Sequence, residues 1–100
     1  MKHVLFTEEA DRELAAAAAW FDEHSAIGGA GFVAMIYEAV QDICEMPFAA
    51  PPWSYAPGSR AWTLRRLSYR VIYEATKRQI RIIAIAHTSR DPERWLDRLP

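Results

Sequence analysis

The segment Ile80–His87 constrains the fold of this 100-residue chain more than any other, because it is apolar on both of its alternating faces. Successive side chains of a β-strand point to opposite faces of a sheet. One alternating set here is Ile80, Ile82 and Ala84, and the other is Ile83 and Ile85. A strand of this kind is buried on both sides. One face can pack on helices, and the other must be covered either by the C-terminal segment or by a partner chain.

Two helices are predicted before this strand, after a short opening strand over residues 2–6. The first helix begins after the N-cap Thr7, with acidic residues at the positive end of its dipole. Its apolar face, at helical spacing, is Ala10, Leu14, Ala17, Ala18 and Phe21. The second apolar face is Phe32, Ile36, Ala39, Val40 and Ile43, in a helix that runs to about Met46. Gly28 and Gly29 end the first helix, and the short connection makes the pair an antiparallel hairpin.

The second half of the chain is predicted to be a loop followed by strands. Four prolines and a glycine make Pro47–Ser59 a loop. Three antiparallel strands follow, over Trp62–Leu67, Tyr69–Thr76 and Ile80–His87. Arg65 and Arg66 are adjacent in the first of them and should point to opposite faces.

A final short helix is predicted to begin at Asp91-Pro92 and to dock Trp95 and Leu99 on the sheet. The expected fold is therefore one α+β domain over residues 1–100. It has two layers in the order β-α-α-β-β-β, with the N-terminal helical hairpin packed on an antiparallel sheet and a short C-terminal helix.

Charge is divided unevenly along the chain, although the formal net charge is only −1. Residues 1–59 carry two basic and nine acidic side chains, whereas residues 60–100 carry ten basic and four acidic ones. The basic half should attract an anionic partner. Mutual neutralisation of the two halves is the alternative interpretation.

The sequence favours a cytoplasmic protein without a metal or cofactor. Cys44 is the single cysteine, so no intrachain disulfide forms, which fits a reducing compartment. We expect no secretory signal and no membrane span, because no apolar run approaches about 20 residues. The three histidines lack the spacing of metal ligands.

Aromatic residues outside the apolar stripes have two interpretations. Trp20, Trp53 and Tyr55 either anchor a partner or fold back onto the core. Tyr69 and Tyr73 are interpreted as core residues.

The order of the elements resembles the RelE/ParE toxin superfamily over nearly the whole chain, and two segments carry the strongest local resemblance. Leu64–Tyr73, with the sequence LRRLSYRVIY, is similar to the paired strands of that family, and Ala84–Trp95 is similar to the ending of its ParE-like members. The resemblance implies the toxin of a type II toxin–antitoxin system, held inactive by a dedicated antitoxin. ParE-like members inhibit DNA gyrase, whereas RelE-like members are ribosome-dependent endonucleases that cut mRNA.

The residues distinguish these two activities only in part. The positions of the RelE-like catalytic arginines fall on Arg70 and Arg90, but those of the two lysines fall on Ala61 and Thr63, and that of the C-terminal tyrosine falls on Leu96. His87 is a replacement general acid or base in the ribonuclease interpretation. In the alternative interpretation it bonds locally at the end of its strand. We therefore expect a ParE-like toxin, with an mRNA endonuclease using Arg70, His87 and Arg90 as the second hypothesis.

The resemblance also implies that the antitoxin is the main partner, and that DNA is reached only through it. We expect an apolar and acidic antitoxin segment to bind the sheet face away from the hairpin. The predicted contact residues are Arg65, Arg66, Arg81, Ile83, Ile85 and Trp95. A degenerate member that binds antitoxin without toxicity is a third hypothesis.

Overall fold

The computed structural model describes residues 3–89 and has the predicted order of elements. The elements are β1 (His3–Phe6), α1 (Glu8–His24), α2 (Gly28–Glu45), β2 (Arg60–Leu64), β3 (Tyr69–Ala75) and β4 (Gln79–His87). This confirms the α+β fold in which a helical hairpin packs on a sheet. The helix predicted from Asp91 lies outside the described residues, as do Arg90 and Trp95.

The four strands form one sheet in the order β1-β4-β3-β2. The pairs β2–β3 and β3–β4 are antiparallel, as expected for strands joined by short turns. β1 pairs with β4 in parallel, with Val4 opposite Ile80 and Phe6 opposite Ile82. The sheet, predicted to be antiparallel, is therefore mixed, because β1 runs parallel to its neighbour β4. β4 is an inner strand, as its two apolar faces predict.

The start of α1 is tied to the middle of β4. Thr7 caps the helix, and its Oγ1 accepts a hydrogen bond from the Ala10 N–H at 3.1 Å, as predicted. The same hydroxyl donates to the Ile83 carbonyl oxygen at 3.3 Å. Ala10, Leu14, Ala17 and Phe21 are buried, and Ala18 is partly buried against the same core. The cap therefore sets both the beginning of the helix and its position on the sheet.

Gly28 and Gly29 begin α2 instead of ending α1, which stops at His24 with Ser25 as its C-cap. Gly28 has φ +70°, a left-handed conformation that favours glycine. The Gly29 N–H donates to Asp22 Oδ1 at 2.6 Å, so a carboxylate of α1 satisfies one of the free donors at the start of α2. The predicted apolar face of α2 is buried throughout, with Phe32, Ile36 and Ile43 fully inaccessible.

A β-bulge at Ile83 changes which side chains face the hairpin. Ile72 lies opposite Ala84 and Tyr73 lies opposite Ile82, so the register of the two strands shifts by one residue at Ile83. The extra residue shifts the alternation, and Ile85 joins Ile82 in the core under the helices. Ile83 packs on the opposite face. The expectation that Ile83 and Ile85 share one face is therefore wrong.

The loop over residues 46–59, before β2, covers the outer face of the sheet, which is the face away from the hairpin. We call it the Trp53 loop. Trp53 and Ala56 pack there with Ile83, Ala84 and other buried side chains. Trp53 is only 8% exposed, so it folds back onto the core, while Tyr55 remains exposed. This loop supplies much of the cover that the two-sided strand requires.

The beginning of the loop is held by Tyr73, which is fully buried under the hairpin. Its hydroxyl donates to the Pro47 carbonyl oxygen at 2.8 Å. Burial raises the pKa of this phenol, and the positive charge of Arg60 opposes part of the rise. The phenol therefore stays protonated, and remains a donor, throughout the neutral pH range.

Candidate partner-binding site

The predicted anion site of Arg70, His87 and Arg90 is not formed by the described residues. Arg70 pairs with Ala86 and Tyr69 pairs with His87, so Arg70 and His87 lie at adjacent positions of the ladder. Adjacent positions point to opposite faces of a sheet. Arg70 contacts the outer face, whereas His87 lies with Tyr69 on the side of α1. Arg90 lies outside the described residues.

Arg70 is engaged with the chain's own loop. Its guanidinium carbon lies 5.2 Å from the centre of the Trp53 ring, within the range of a cation–π contact. Its Nη1 also donates to the Thr88 carbonyl oxygen at 3.4 Å. These contacts position the Trp53 loop against the end of the sheet. They give Arg70 a structural role in this chain.

His87 bonds locally, as its alternative interpretation anticipates. The Ser89 N–H donates to Nδ1 at 3.1 Å, and Ser89 Oγ lies 2.8 Å from the same nitrogen. The imidazole packs edge-to-face on Tyr69, with ring centroids 5.4 Å apart. Nδ1 is therefore engaged by Ser89 in the turn after β4, and the imidazole is held against the Tyr69 ring.

The residues predicted to contact a partner are dispersed in the structure. β2 ends at Leu64, so Arg65 and Arg66 lie in the β2–β3 turn instead of on opposite strand faces, and both are exposed. Arg81 is paired with Glu74, with Nη1 2.7 Å from Oε1. Ile83 and Ile85 are buried, at 0% and 2% exposure, so neither offers a surface to a partner. Trp95 lies outside the described residues.

A groove between α1 and the end of the sheet is a concave surface that includes one of these arginines, Arg66. We call it the α1 groove and define it by Trp20, His24, Arg66, Tyr69 and His87. It consists of two adjoining cavities of about 440 and 620 Å³, which share Trp20, Tyr69 and His87. Clefts of this size that combine aromatic and polar walls are typical binding sites.

The wall of the α1 groove is a chain of aromatic rings that continues into the core. Trp20 is 51% exposed and stacks on His24, with centroids 4.6 Å apart. Trp20 also meets Phe21 edge-on at 5.2 Å, and Phe21 stacks on buried Phe32. The groove therefore presents an exposed indole on a rigid support, the kind of side chain that often anchors an interface.

The two ends of the α1 groove carry different charges. Glu9, Arg12 and Glu13 line one end, and the carboxylate of Glu13 accepts a hydrogen bond from the Ile85 N–H at 3.1 Å. This bond satisfies a strand donor just beyond the bulge. Arg66 lines the other end, together with serine hydroxyls. A bound segment would therefore have a preferred direction.

Sequence reasoning identified Trp20 as a residue off the main apolar stripe, but it did not identify the groove. The bulge brings Ile85 under α1, and the turn after β4 turns His87 toward Tyr69. Neither is visible as a pattern of residue types. Trp20 and Arg66, the latter among the predicted contact residues, were the signals of this surface in the sequence.

Residues 3–89 contain no cluster of three or more side chains that could hold a metal ion. None of the helices in that range is long and apolar enough to cross a membrane.

Comparisons with known proteins agree with the fold and with the resemblance of the two sequence segments. The family model for the ParE toxin of the type II toxin–antitoxin system parDE matches residues 4–92. A solved structure of the chromosomal ParDE TA system from P. aeruginosa aligns with a TM-score of 0.63 and 21% identity. That alignment covers 87% of this chain and 96% of the other. No curated protein sequence matches the chain.

Proposed function

Because this chain belongs to the ParE toxin family of type II toxin–antitoxin systems, we propose that it arrests growth by binding DNA gyrase and that a cognate antitoxin neutralises it. It acts in the cytoplasm, where both partners are made. Toxicity arises from occupation of a surface of the target, and the toxin itself breaks no bond.

The observation that carries this proposal is the separation of Arg70 from His87 by the thickness of the sheet. Metal-free RNA cleavage needs a base, an acid and cations around one phosphate. Here one candidate cation contacts Trp53 and the candidate base lies under α1. Ala61 and Thr63 supply no cation at the positions of the RelE-like lysines. These features support binding over cleavage.

The first test is expression without the antitoxin. We expect growth arrest that is reversed by co-expression of the small adjacent gene, and we expect the purified toxin to inhibit supercoiling by gyrase. Ribosomes programmed with mRNA should yield no cleavage in the A site when the toxin is added. Cleavage that is lost in His87→Ala would contradict the proposal in favour of the nuclease, and normal growth at high toxin levels would indicate the degenerate member.

We place the antitoxin segment in the α1 groove instead of on the outer face. The outer face is already covered by the Trp53 loop, and Ile83 is buried there. The α1 groove offers the exposed indole of Trp20 next to Arg66, with Arg65 beside it in the turn. An apolar and acidic segment fits if its apolar residues lie on Trp20 and its carboxylates lie at the arginine end. Apolar contacts then supply most of the affinity, and charge sets direction and association rate.

Trp20→Ala should weaken the complex with the antitoxin by at least about tenfold, because a central indole contributes more than about 1.4 kcal/mol at many interfaces. Tyr37→Ala is the matched control, since Tyr37 is 49% exposed on α2, outside the α1 groove. The dissociation constant is measured by titration calorimetry at low and high salt. Raising salt from about 0.1 to 1 M shortens the screening length from about 10 to 3 Å, so association should slow while the complex survives. Equal losses in the two variants, or dissociation by salt alone, would show that the antitoxin is held elsewhere.

A further inference from the structure

The two edges of the sheet, β2 and β1, differ in how far the chain itself covers them. The outer edge of β2 is partly covered by the chain itself, since Pro52 bridges to Arg60 and the Ala61 N–H donates to the Pro51 carbonyl oxygen at 3.2 Å. At the other edge, no strand within residues 3–89 pairs with the outer side of β1. Exposed edge strands are sites where another chain can add a strand.

The backbone of β1 is oriented for such pairing. The His3 N–H donates to the Arg78 carbonyl oxygen and the Thr7 N–H donates to that of Ile82, so the odd-numbered positions face β4. Because backbone groups alternate along a strand, those of Val4 and Phe6 point away from β4. Two residues with outward N–H and C=O groups can make about four hydrogen bonds to an added strand.

An apolar groove runs alongside this edge, on the side of the helices. We call it the β1–α2 groove. It has a volume of about 700 Å³ and is lined by Val4, Phe6, Tyr37, Val40, Gln41, Cys44 and Glu45. Val4 is 38% exposed and Tyr37 is 49% exposed, and the Phe6 and Tyr37 rings lie 5.9 Å apart. An added strand that pairs with β1 would place every second side chain in this groove.

The charge around the β1–α2 groove defines the chemistry of the occupant. Residues 8–45, which form the helical layer, contain nine acidic side chains and one arginine. Glu45 is the charged residue that lines the groove itself, and α2 contains no basic residue. Residues 60–89 have the opposite balance, with seven basic side chains and one glutamate. A basic segment is therefore attracted to this edge, and an acidic one is repelled.

We infer that the β1 edge and the β1–α2 groove bind an extended segment of a partner protein. Every second side chain of this segment faces the groove, and these side chains are apolar except for a lysine or arginine at one end. The partner's backbone pairs with Val4 and Phe6, its apolar side chains fill the groove beside Tyr37, and its cation lies near Glu45. A second copy of this chain fits poorly, because two β1 edges in contact would bring two acidic helical layers together. The inference does not depend on the gyrase target, and the β1–α2 groove shares no lining residue with the α1 groove proposed for the antitoxin.

The test uses a labelled seven-residue peptide, Lys-Ser-Val-Ser-Val-Ser-Lys, in which the lysines and valines share one face of the strand. It is titrated with the intact protein by fluorescence anisotropy. Binding to the wild type is expected, and Tyr37→Ala should weaken it about tenfold, whereas Trp20→Ala leaves it unchanged. Glu45→Lys should weaken peptide binding about fivefold. Glu23→Lys makes the same charge change at an exposed position of α1. Its effect on peptide binding should be less than about twofold. Amide exchange at Val4 and Phe6 should slow when the peptide is bound.

The peptide controls separate strand addition from attraction between charges. A peptide of equal charge with proline at its centre should bind much more weakly, because proline removes a backbone donor. Equal binding of this peptide, equal effects of Glu45→Lys and Glu23→Lys, or equal binding of a peptide with glutamate at both lysine positions would overturn the inference. It would also be overturned if sedimentation showed dimers of the toxin that Tyr37→Ala dissociates, since the edge would then belong to a second copy.

Discussion

Ile83→Asp is expected to unfold the isolated protein. Ile83 is completely buried between the sheet and the Trp53 loop, on the outer face. A carboxylate at this position loses its hydration without gaining an ion pair. Its burial costs several kcal/mol of folding free energy, in addition to the lost apolar contact. A total of about 5 kcal/mol or more is comparable with the whole stability of a small domain, about 5–15 kcal/mol. Thermal melting followed by circular dichroism should show no cooperative transition.

Ile83→Val is the control, because removal of one methyl group costs only about 1 kcal/mol and keeps the apolar contact. This variant should melt cooperatively and inhibit growth as the wild type does. The pair distinguishes an internal core residue from a partner-facing one. If Ile83→Asp stayed folded and lost only the antitoxin, Ile83 would have to be exposed in solution, and the cover by the Trp53 loop would be refuted.

The order and burial of the elements follow from patterns that the sequence displays directly. The N-cap Thr7 and the apolar stripe of α1 are local features, and the structure reproduces both. The two-sided apolar strand Gln79–His87 is an inner strand, as its composition requires. Parallel pairing of β1 was not predicted, because it depends on a contact between residues more than 70 positions apart.

The site could be predicted less well, because the face of the sheet on which a side chain lies depends on the register of the strands. One bulged residue at Ile83 moves Ile85 to the other face, and strict alternation has no means of showing this. The prediction that Arg70 and His87 meet failed because they occupy adjacent positions of the β3–β4 ladder. Arg65 and Arg66 were placed on a strand because apolar residues flank them. The chain instead turns there, with Ser68 at φ +57°.

Gly29→Ala should destabilise the protein by about 2–3 kcal/mol, because it inserts a methyl group where the two helices are in closest contact. A Cβ at this position would lie 2.6 Å from the Ala18 carbonyl oxygen and 3.0 Å from both Asp22 carboxylate oxygens. The backbone oxygen cannot move without moving α1. Separation of the helices would also lengthen the 2.6 Å bond from the Gly29 N–H to Asp22, a bond to a charged group worth about 1.5–3 kcal/mol. Alanine's better helix propensity offsets only about 1 kcal/mol of this cost.

Gly31→Ala is the control, because it replaces a glycine of the same helix at a position that does not contact α1. It separates the clash between Gly29 and Ala18 from the general effect of replacing a helical glycine. A Cβ there meets only the side chain of Ile27, at 3.1 Å, and Ile27 is 44% exposed and able to shift. Urea unfolding should place Gly31→Ala within about 1 kcal/mol of the wild type, with the gain in helix propensity on the stabilising side. Because α1 carries Trp20 and is tied to β4 by Glu13 and Thr7, displacement of this helix in Gly29→Ala should also weaken binding of the antitoxin. Equal stabilities of the two variants would mean that the hairpin tolerates a wider separation, and that the contact between Gly29 and Ala18 does not fix the position of α1.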